Sequence, residues 1–146
     1  MKIVQVTKDD FKAGLELALK LYSDYSVEEM EIVIESPRQE QFLVKDSQGK
    51  AIAFLHLSLR FEYVPGATGS PVAFVEGIYV RDEYQNQSIG TSLIQYAEQW
   101  AFARGCKELA SDALLENTAS YQFHTKVGFQ EVERVVSFIK QVVSFD

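Results

Sequence analysis

The spacing of apolar residues predicts two helices near the start of the chain. Apolar side chains recur at intervals of three and four residues up to Tyr22, and a short strand at residues 3–6 precedes them, so a helix is predicted from Thr7 to Tyr22 or Ser23. Ser26 and Glu29 have the spacing of a capping box, which predicts a second helix that ends before Pro37.

The middle of the chain changes to the composition of β-strands. Residues 41–45 and 50–60 are rich in strand-forming side chains, and the four residues between them suit a hairpin loop. A glycine- and proline-containing loop follows. Residues 72–80 then form a largely apolar segment, interrupted only by Glu76, that predicts a central strand.

The last part of the chain returns to an alternation of helices and strands. A helix is predicted over residues 90–104, a strand over 109–111 and a second helix over 117–127. Gly105 and Gly128 stand where a left-handed C-cap is expected, and one or two closing strands are predicted within residues 129–145. The expected fold is α/β, a single domain over residues 1–146 with a mixed central sheet and helices on both faces.

Composition and charge narrow the possible partners. Twenty-one acidic residues against fourteen basic ones give a net charge of -7, which argues against nucleic acid as the main partner. The most apolar stretch, residues 51–61, contains polar side chains and is shorter than the about 18 apolar residues that a membrane span needs. With one cysteine, Cys106, and no signal peptide, a cytoplasmic protein without a disulfide or a metal site is expected.

The junction after the central strand is the first candidate site. Residues 84–91 join that strand to an amphipathic helix, and the first amides of a helix have no partner within it. Such amides suit a pyrophosphate, with Gly90 allowing close approach of the backbone. A capped helix without a ligand is the alternative.

Two carboxylates stand at positions that suggest function. Glu76 interrupts an apolar strand, where its charge must be paired, protonated or used in chemistry; a structural ion pair is the alternative. Asp112 follows the strand at residues 109–111, and ligands of α/β sheets gather beyond the carboxyl ends of strands. It could instead cap a turn. His56 and Cys106 are expected to be structural.

The loop residues resemble the acetyl-CoA motif of the GNAT superfamily of N-acetyltransferases. Gln85 and Gly90 match that motif, whereas Ser88 stands where the superfamily usually has glycine. Asn117, Phe123 and the pair Gly128–Phe129 match a later motif. Residues 74–80, 105–112, 116–117 and 128–135 look specifically like aminoglycoside 6'-N-acetyltransferases, although the first forty residues resemble them poorly.

The resemblance implies a set of contacts with acetyl-CoA as cosubstrate. The strand residues Ile78, Tyr79 and Val80 would pair with the pantetheine arm, and Asn117 would also contact the cofactor. The pyrophosphate would lie against six loop residues, namely Asn86, Gln87, Ser88, Ile89, Gly90 and Thr91.

The resemblance also implies the residues that bind and convert the acceptor. Five of them would surround an amine-rich sugar: Tyr22, Tyr63, Glu76, Asp112 and Glu133. Glu76 or Asp112 would receive the proton of the ammonium, directly or through water. His124 takes the place of a tyrosine that protonates the departing CoA thiolate in many relatives; packing against the cofactor is its alternative role.

The expected function is acetyl transfer to the 6'-amine of an aminoglycoside, which is an antibiotic-resistance activity. Two alternatives stay open: an acetyltransferase for another cellular amine, such as a polyamine or a peptide, and a non-catalytic acyl-CoA-binding domain. The superfamily is often dimeric, so a homodimer is expected, in which Glu133 would reach the neighbouring site.

Overall fold

A five-stranded mixed sheet forms the centre of the molecule. The computed structural model describes residues 2–145; Met1 and Asp146, the ends of the predicted domain, lie outside the described residues. The strands lie in the order β1-β2-β3-β4-β5, antiparallel from β1 to β4 and parallel between β4 and β5. Their bounds are Lys2–Gln5 (β1), Gln39–Lys45 (β2), Ala51–Arg60 (β3), Val72–Val80 (β4) and Leu109–Ser111 (β5).

Two helices cover each face of this sheet, as the sequence predicts. Their bounds are Phe11–Ala18 (α1), Val27–Glu35 (α2), Ile89–Ala103 (α3) and Thr118–Lys126 (α4). Leu17 of α1 and Met30 of α2 are buried against one face together with Phe54 of β3. Leu93 of α3 is buried in the core of the opposite face, and Phe123 of α4 packs against that core. Burial of these apolar side chains is the main stabilising term of the fold.

Short-range signals fix the ends of several elements. Ser26 and Glu29 form the predicted capping box at the start of α2, with the Glu29 amide donating to the Ser26 hydroxyl at 3.1 Å. Asp46 accepts the amide of Lys50 at 2.9 Å and so closes the β2–β3 loop. Gly105 has a φ of +76°, as the predicted left-handed C-cap of α3 requires.

The first helix is shorter than predicted. A 3-10 turn, Lys8–Asp10, precedes α1, and Thr7 caps only that turn by accepting the amide of Asp9 at 3.4 Å. After Ala18 the chain makes a turn, in which the Tyr22 amide donates to the Ala18 carbonyl at 2.9 Å. This early end matters for the site, because Tyr22 leaves the helix and reaches the sheet.

The prediction of closing strands within residues 129–145 is wrong. This segment forms neither helix nor strand. A strand needs a neighbouring strand for its backbone hydrogen bonds, and the composition of a segment does not show whether such a neighbour is present. The apolar side chains that suggested strands lie in solvent instead; Phe138 is 90% exposed and Ile139 is 97% exposed.

Candidate functional site

The sheet opens between its two parallel strands. β4 pairs with β5 only from Ala73 to Val75, so its second half continues beyond the end of β5. Ile78, Tyr79 and Val80, the predicted pantetheine contacts, lie in that half, where the described residues form no ladder on the β5 side. Unpaired backbone groups of a strand edge are available to an extended ligand.

The predicted phosphate loop lies at the end of β4 and leads into α3. Asn86 and Ser88 both have a φ of 64°, a left-handed conformation that orients successive amides differently from a regular strand. Ser88 is the N-cap residue of α3, but its side chain makes no capping hydrogen bond. The Ser92 amide is one turn into the helix and donates to the Ser88 carbonyl at 3.0 Å. The amides of Ile89, Gly90 and Thr91 precede that bond, as expected for an anion site at a helix start.

Gly90 has a packing role that the sequence did not indicate. A Cβ atom at this position would lie 2.8 Å from Cε1 of Phe123 in α4. The glycine therefore lets α3 and α4 approach at the point where the loop ends.

Glu76 makes an ion pair on the sheet surface. Its carboxylate accepts Ser58 Oγ at 2.5 Å and two bonds from Arg60, at 3.0 Å from Nε and 2.8 Å from Nη2. The Arg60 guanidinium in turn lies 3.5 Å from the centre of the Phe74 ring. A bidentate pair of this kind fixes the carboxylate in one orientation.

The Tyr22 hydroxyl is affected by the charges of both predicted carboxylates, Glu76 and Asp112. Burial is the largest cause that raises the pKa of the Tyr22 hydroxyl far above its usual range, and Glu76, Tyr25 and Asp112 add to it in decreasing order. That hydroxyl lies 3.4 Å from Nδ1 of His56, and burial lowers the pKa of His56 to about 4 against an opposing effect of Glu76. The structure therefore assembles a phenol, a neutral imidazole and two carboxylates at the open end of the sheet.

Asp112 and His124 lie near the end of β5, Asp112 directly after the strand and His124 on α4. Asp112 is solvent-exposed directly after the strand. Its neighbour Ser111 hydrogen-bonds His124 Nε2 at 2.7 Å, and the carbonyl of Ser120 lies 2.7 Å from His124 Nδ1. Because a carbonyl can only accept, Nδ1 carries a proton, and in the tautomer protonated only there Nε2 accepts the Ser111 hydroxyl.

Comparisons with known proteins identify the family of the chain. The profile of the acetyltransferase (GNAT) family matches residues 7–129. The chain belongs to the GNAT acetyltransferase family.

Relatives with curated names are similar over nearly the whole acetyltransferase. An aminoglycoside N(6')-acetyltransferase type 1 from Acinetobacter genomosp. 13 is 41% identical, with 97% of this chain and 99% of the relative covered. One of the same name from Acinetobacter haemolyticus is 42% identical over the same shares of each chain.

Solved structures of similar enzymes superpose closely on the acetyltransferase. An aminoglycoside 6'-N-acetyltransferase from Acinetobacter baumannii has a TM-score of 0.91 at 40% identity, covering 97% of this chain and 98% of the other. AAC(6')-Iy bound to the bisubstrate analogue CoA-S-monomethyl-acetylneamine has a TM-score of 0.89 at 31% identity, with coverages of 97% and 98%. The mixed-sheet GNAT fold expected from the sequence is confirmed.

Three predicted site residues of the acetyltransferase lie apart from this cluster or have another evident contact. Tyr63 is 80% exposed in the loop between β3 and β4. Asn117 caps α4, with Oδ1 accepting the Ser120 amide at 3.1 Å, a role that leaves its amide group free for a ligand. Glu133 is exposed in the irregular C-terminal segment.

Sequence reasoning missed the partners that hold the site of the acetyltransferase in place. Arg60 and Ser58 bind Glu76, and Gln39 Oε1 lies 2.9 Å from Nε2 of His56. The usable signal was the polar character of alternate positions in the otherwise apolar β3. Alternate strand residues share a face, so His56, Ser58 and Arg60 had to face the same side as one another.

Metal-binding clusters of side chains and membrane-spanning helices are both absent from residues 2–145, the part of the acetyltransferase that the structure describes. No group of three or more His, Cys, Asp or Glu side chains among them could hold a metal ion. Within the same residues, none of the helices combines the length and the apolar character needed to cross a membrane.

Proposed function

We propose that this acetyltransferase transfers an acetyl group from acetyl-CoA to the 6'-amine of an aminoglycoside antibiotic. The observation that carries the proposal is the arrangement at the open end of the sheet, where the Tyr22 hydroxyl lies against Gly77, next to Glu76, and the exposed Asp112 follows β5 directly. Two carboxylates beside an aromatic side chain suit an amino sugar, which offers ammonium groups and apolar ring faces. The names of the relatives and the neamine-containing analogue in AAC(6')-Iy support the same acceptor class.

The cosubstrate fits the part of the site that precedes α3. Members of the GNAT family use acetyl-CoA, and AAC(6')-Iy has been solved with CoA bound. We assign Ile78, Tyr79 and Val80 to the pantetheine arm, because their strand edge continues past β5. The pyrophosphate is assigned to the loop from residue 86 to residue 91, where left-handed residues and the first amides of α3 come together. Asn117 would add a contact from the start of α4.

Ser88 is compatible with this assignment. It adopts φ 64°, a conformation that costs a residue with a side chain about 1–2 kcal/mol and costs glycine little. This preference explains why the family usually has glycine there. Serine keeps the backbone direction at the expense of stability, and its side chain is exposed.

The proposed reaction is direct transfer, with no covalent intermediate on the protein. The ammonium first gives one proton to a base, from which it passes to solvent, and the neutral amine forms a bond to the acetyl carbon as the carbon–sulfur bond breaks. The nitrogen then loses a second proton, which balances the proton gained by the thiolate. A backbone amide near Val80 polarises the carbonyl. Positioning of the two substrates is expected to contribute about 7–11 kcal/mol, more than a single general base does.

Asp112 is better placed than Glu76 to take the proton of the ammonium. Glu76 is held by Arg60 and Ser58, so its charge is already balanced. Asp112 is exposed, and within residues 2–145 it has no ion pair or hydrogen bond. Asp112→Asn is expected to lower kcat/KM for cationic sugars and to leave acetyl-CoA binding intact. Unchanged kinetics would show that Asp112 has no part in the reaction.

We propose that His124 protonates the departing thiolate. Its imidazole is linked to Ser111, next to Asp112, and packs 5.1 Å from the Phe129 ring. In the tautomer described above Nε2 accepts from Ser111, so donation requires either the imidazolium or a switch of that hydrogen bond. His124→Gln is expected to slow turnover at saturating acceptor and to leave the acceptor KM unchanged.

We propose that the enzyme is a homodimer in which the C-terminal segment of one copy covers the other. Eight large apolar side chains of this segment are more than 60% exposed, namely Val132, Val135, Val136, Phe138, Ile139, Val142, Val143 and Phe145. β5 is the last strand of the sheet, so an outer edge is available to a strand from a second copy. Glu133 lies at the base of the segment, from which it would reach the acceptor site of the partner.

We also propose that residues 1–146 form a single domain and that the enzyme is cytoplasmic. The family profile spans residues 7–129, which supports one domain. The single Cys106 cannot form a disulfide within the chain, which fits a reducing compartment. It is buried, and burial raises the pKa of its thiol, which gives no support to a cysteine nucleophile.

The function is tested by measuring CoA release from acetyl-CoA with a panel of acceptors. Kanamycin and tobramycin carry the 6'-amine, whereas an aminoglycoside with a 6'-hydroxyl and spermidine serve as controls. Turnover confined to the 6'-amine compounds supports the proposal. Turnover with spermidine alone would assign another cellular amine as acceptor, and acetyl-CoA binding without turnover on any amine would indicate a non-catalytic domain.

A further inference from the structure

A row of buried polar side chains lies beneath the loop between α1 and α2. Gln41, His56 and Ser58 are the buried polar residues among those that the structure describes, with exposures of 2%, 6% and 5%. Gln41 and His56 are paired across β2 and β3, and Ser58 is two residues further along β3 on the same face. Buried polar groups are costly unless they are hydrogen-bonded, so the partners of this row are informative.

The partners of His56 define its protonation state. Its Nε2 faces Gln39 Oε1 at 2.9 Å, and an amide oxygen can only accept, so Nε2 carries the proton. Nδ1 is then the acceptor of the neutral ring, and it lies 3.4 Å from the hydroxyl of Tyr22. Burial, which lowers the pKa of His56 to about 4, keeps the ring neutral at physiological pH.

The Tyr22 hydroxyl is also confined from a second side. A Cβ atom on Gly77 would lie 2.2 Å from this oxygen, so the hydroxyl occupies space that only glycine leaves open. Gly77 follows Glu76 directly, and the register of β3 and β4 shifts by one residue at this point. The hydroxyl is thus seated between His56 and the backbone beside Glu76.

We infer that His56 is a positioning residue for the acceptor: by taking the hydrogen bond of the Tyr22 hydroxyl, it turns the oxygen lone pairs of Tyr22 toward the amine. A phenol whose proton is committed to His56 can only accept further hydrogen bonds, and an ammonium can only donate them. Tyr22 is thereby specified to bind a cationic amine. No proton moves to His56, which acts only through Tyr22. This inference rests on the proposed function.

A double-mutant cycle between His56 and Tyr22 tests the inference. His56→Leu removes the acceptor, and we expect it to raise the acceptor KM by about fivefold to twentyfold, with a smaller effect on kcat and none on the KM for acetyl-CoA. Tyr22→Phe should have a similar effect. In the Tyr22→Phe background, His56→Leu should change the acceptor KM by less than about twofold, because the hydrogen bond is already absent.

A conservative variant separates positioning from packing. The Oδ1 atom of asparagine reaches about the position of histidine Nδ1, so His56→Asn should restore most of the acceptor KM lost in His56→Leu. If His56 only fills space, its substitution should have the same effect in both Tyr22 backgrounds, and that additivity would overturn the inference.

A second double-mutant cycle, between Gly77 and Tyr22, does not depend on how well His56→Leu folds. A Cβ atom in Gly77→Ala would lie 2.2 Å from the Tyr22 hydroxyl, 2.8 Å from Cδ1 of Leu21 and 3.0 Å from Cζ of Tyr22. The part of its effect on the acceptor KM that is due to the hydroxyl should be lost in the Tyr22→Phe background. Additive effects would again overturn the inference. Failure of the proposed function would be distinct, because the unsubstituted enzyme would then show no turnover with the 6'-amine acceptors in the first place.

Discussion

Arg60 holds both carboxylate oxygens of Glu76 while its guanidinium lies over the ring of Phe74. The two residues come from neighbouring strands, and their pairing neutralises an acidic side chain at the open end of the sheet. Glu76 therefore serves the site in a fixed orientation with its charge already shared. In the proposed acceptor site, Glu76 would therefore fix the shape of the pocket and would also be a candidate base.

Glu76→Gln is expected to lower kcat/KM for a 6'-amine acceptor without abolishing activity. A general base contributes about 10²- to 10⁴-fold, and positioning by the other residues is retained. If Glu76 takes the proton, the loss should grow as the pH falls, because more of the amine is then protonated. Initial rates between pH 6 and pH 9 provide the measurement.

The control for this substitution is Glu28→Gln, on the exposed surface of α2. It removes the same charge from the chain and should leave the kinetics unchanged. A loss at Glu76 that is independent of pH would show that the residue acts through its ion pair with Arg60 rather than as a base.

Gly90→Ala is expected to destabilise the enzyme by about 1–3 kcal/mol, because the added methyl group overlaps the Phe123 ring. Urea denaturation followed by tryptophan fluorescence gives the free energy of unfolding. Gly69→Ala is the matched control, since a Cβ atom there meets nothing within 4 Å. Equal stability of the two variants would contradict the packing role assigned to Gly90.

His56 is expected to make the stability of the enzyme depend on pH. Its pKa is 6.5 in the unfolded chain and about 4 in the folded protein, so between these values the unfolded chain binds more protons. The contribution of His56 to the free energy of unfolding is therefore fully present above pH 6.5 and is lost as the pH drops toward 4. Between pH 7 and pH 5 the loss due to His56 amounts to about 2 kcal/mol.

The measurement compares urea unfolding of the original enzyme and of His56→Gln at pH 7 and at pH 5. Other groups contribute equally to both proteins, so the contribution of His56 is the difference between the two pH dependences. Identical pH dependences would show that His56 is not held neutral in the folded protein.

Loss of the C-terminal apolar contacts is expected to separate the proposed dimer. Ile139→Asp places a charge on the most exposed of the large apolar side chains, at 97% exposure, so a free monomer should tolerate it. In a dimer the charge would be buried in the interface at high cost. Light scattering coupled to size exclusion should give twice the chain mass for the original enzyme and the chain mass for the variant. A monomeric original enzyme would refute the dimer.

Much of the fold follows from the sequence because its signals are local. The capping box at Ser26 and Glu29 and the strand composition of residues 72–80 each specify an element through neighbouring residues, and both elements form as predicted. The length of α1 and the state of residues 129–145 do not follow. Both depend on contacts between distant parts of the chain, or between chains, which no local pattern records.

The candidate site divides in the same way. The position of Glu76 within β4 and that of Asp112 directly after β5 could be expected from the predicted strands. The ion pair with Arg60 and the hydrogen bond between Tyr22 and His56 could not, because the partners are 16 and 34 residues apart in the chain. Only the register of β3 against β4 and the early end of α1 bring them together.

The position of the acetyl group on the product is the most direct test of acetyl transfer to the 6'-amine. Kanamycin has several amines. Two-dimensional NMR of kanamycin that has been acetylated once per molecule shows which amine carries the acetyl group. Acetylation is expected at the 6'-amine alone. Acetylation at another amine, or a mixture of positions, would contradict the proposed arrangement of acceptor, Tyr22 and carboxylates.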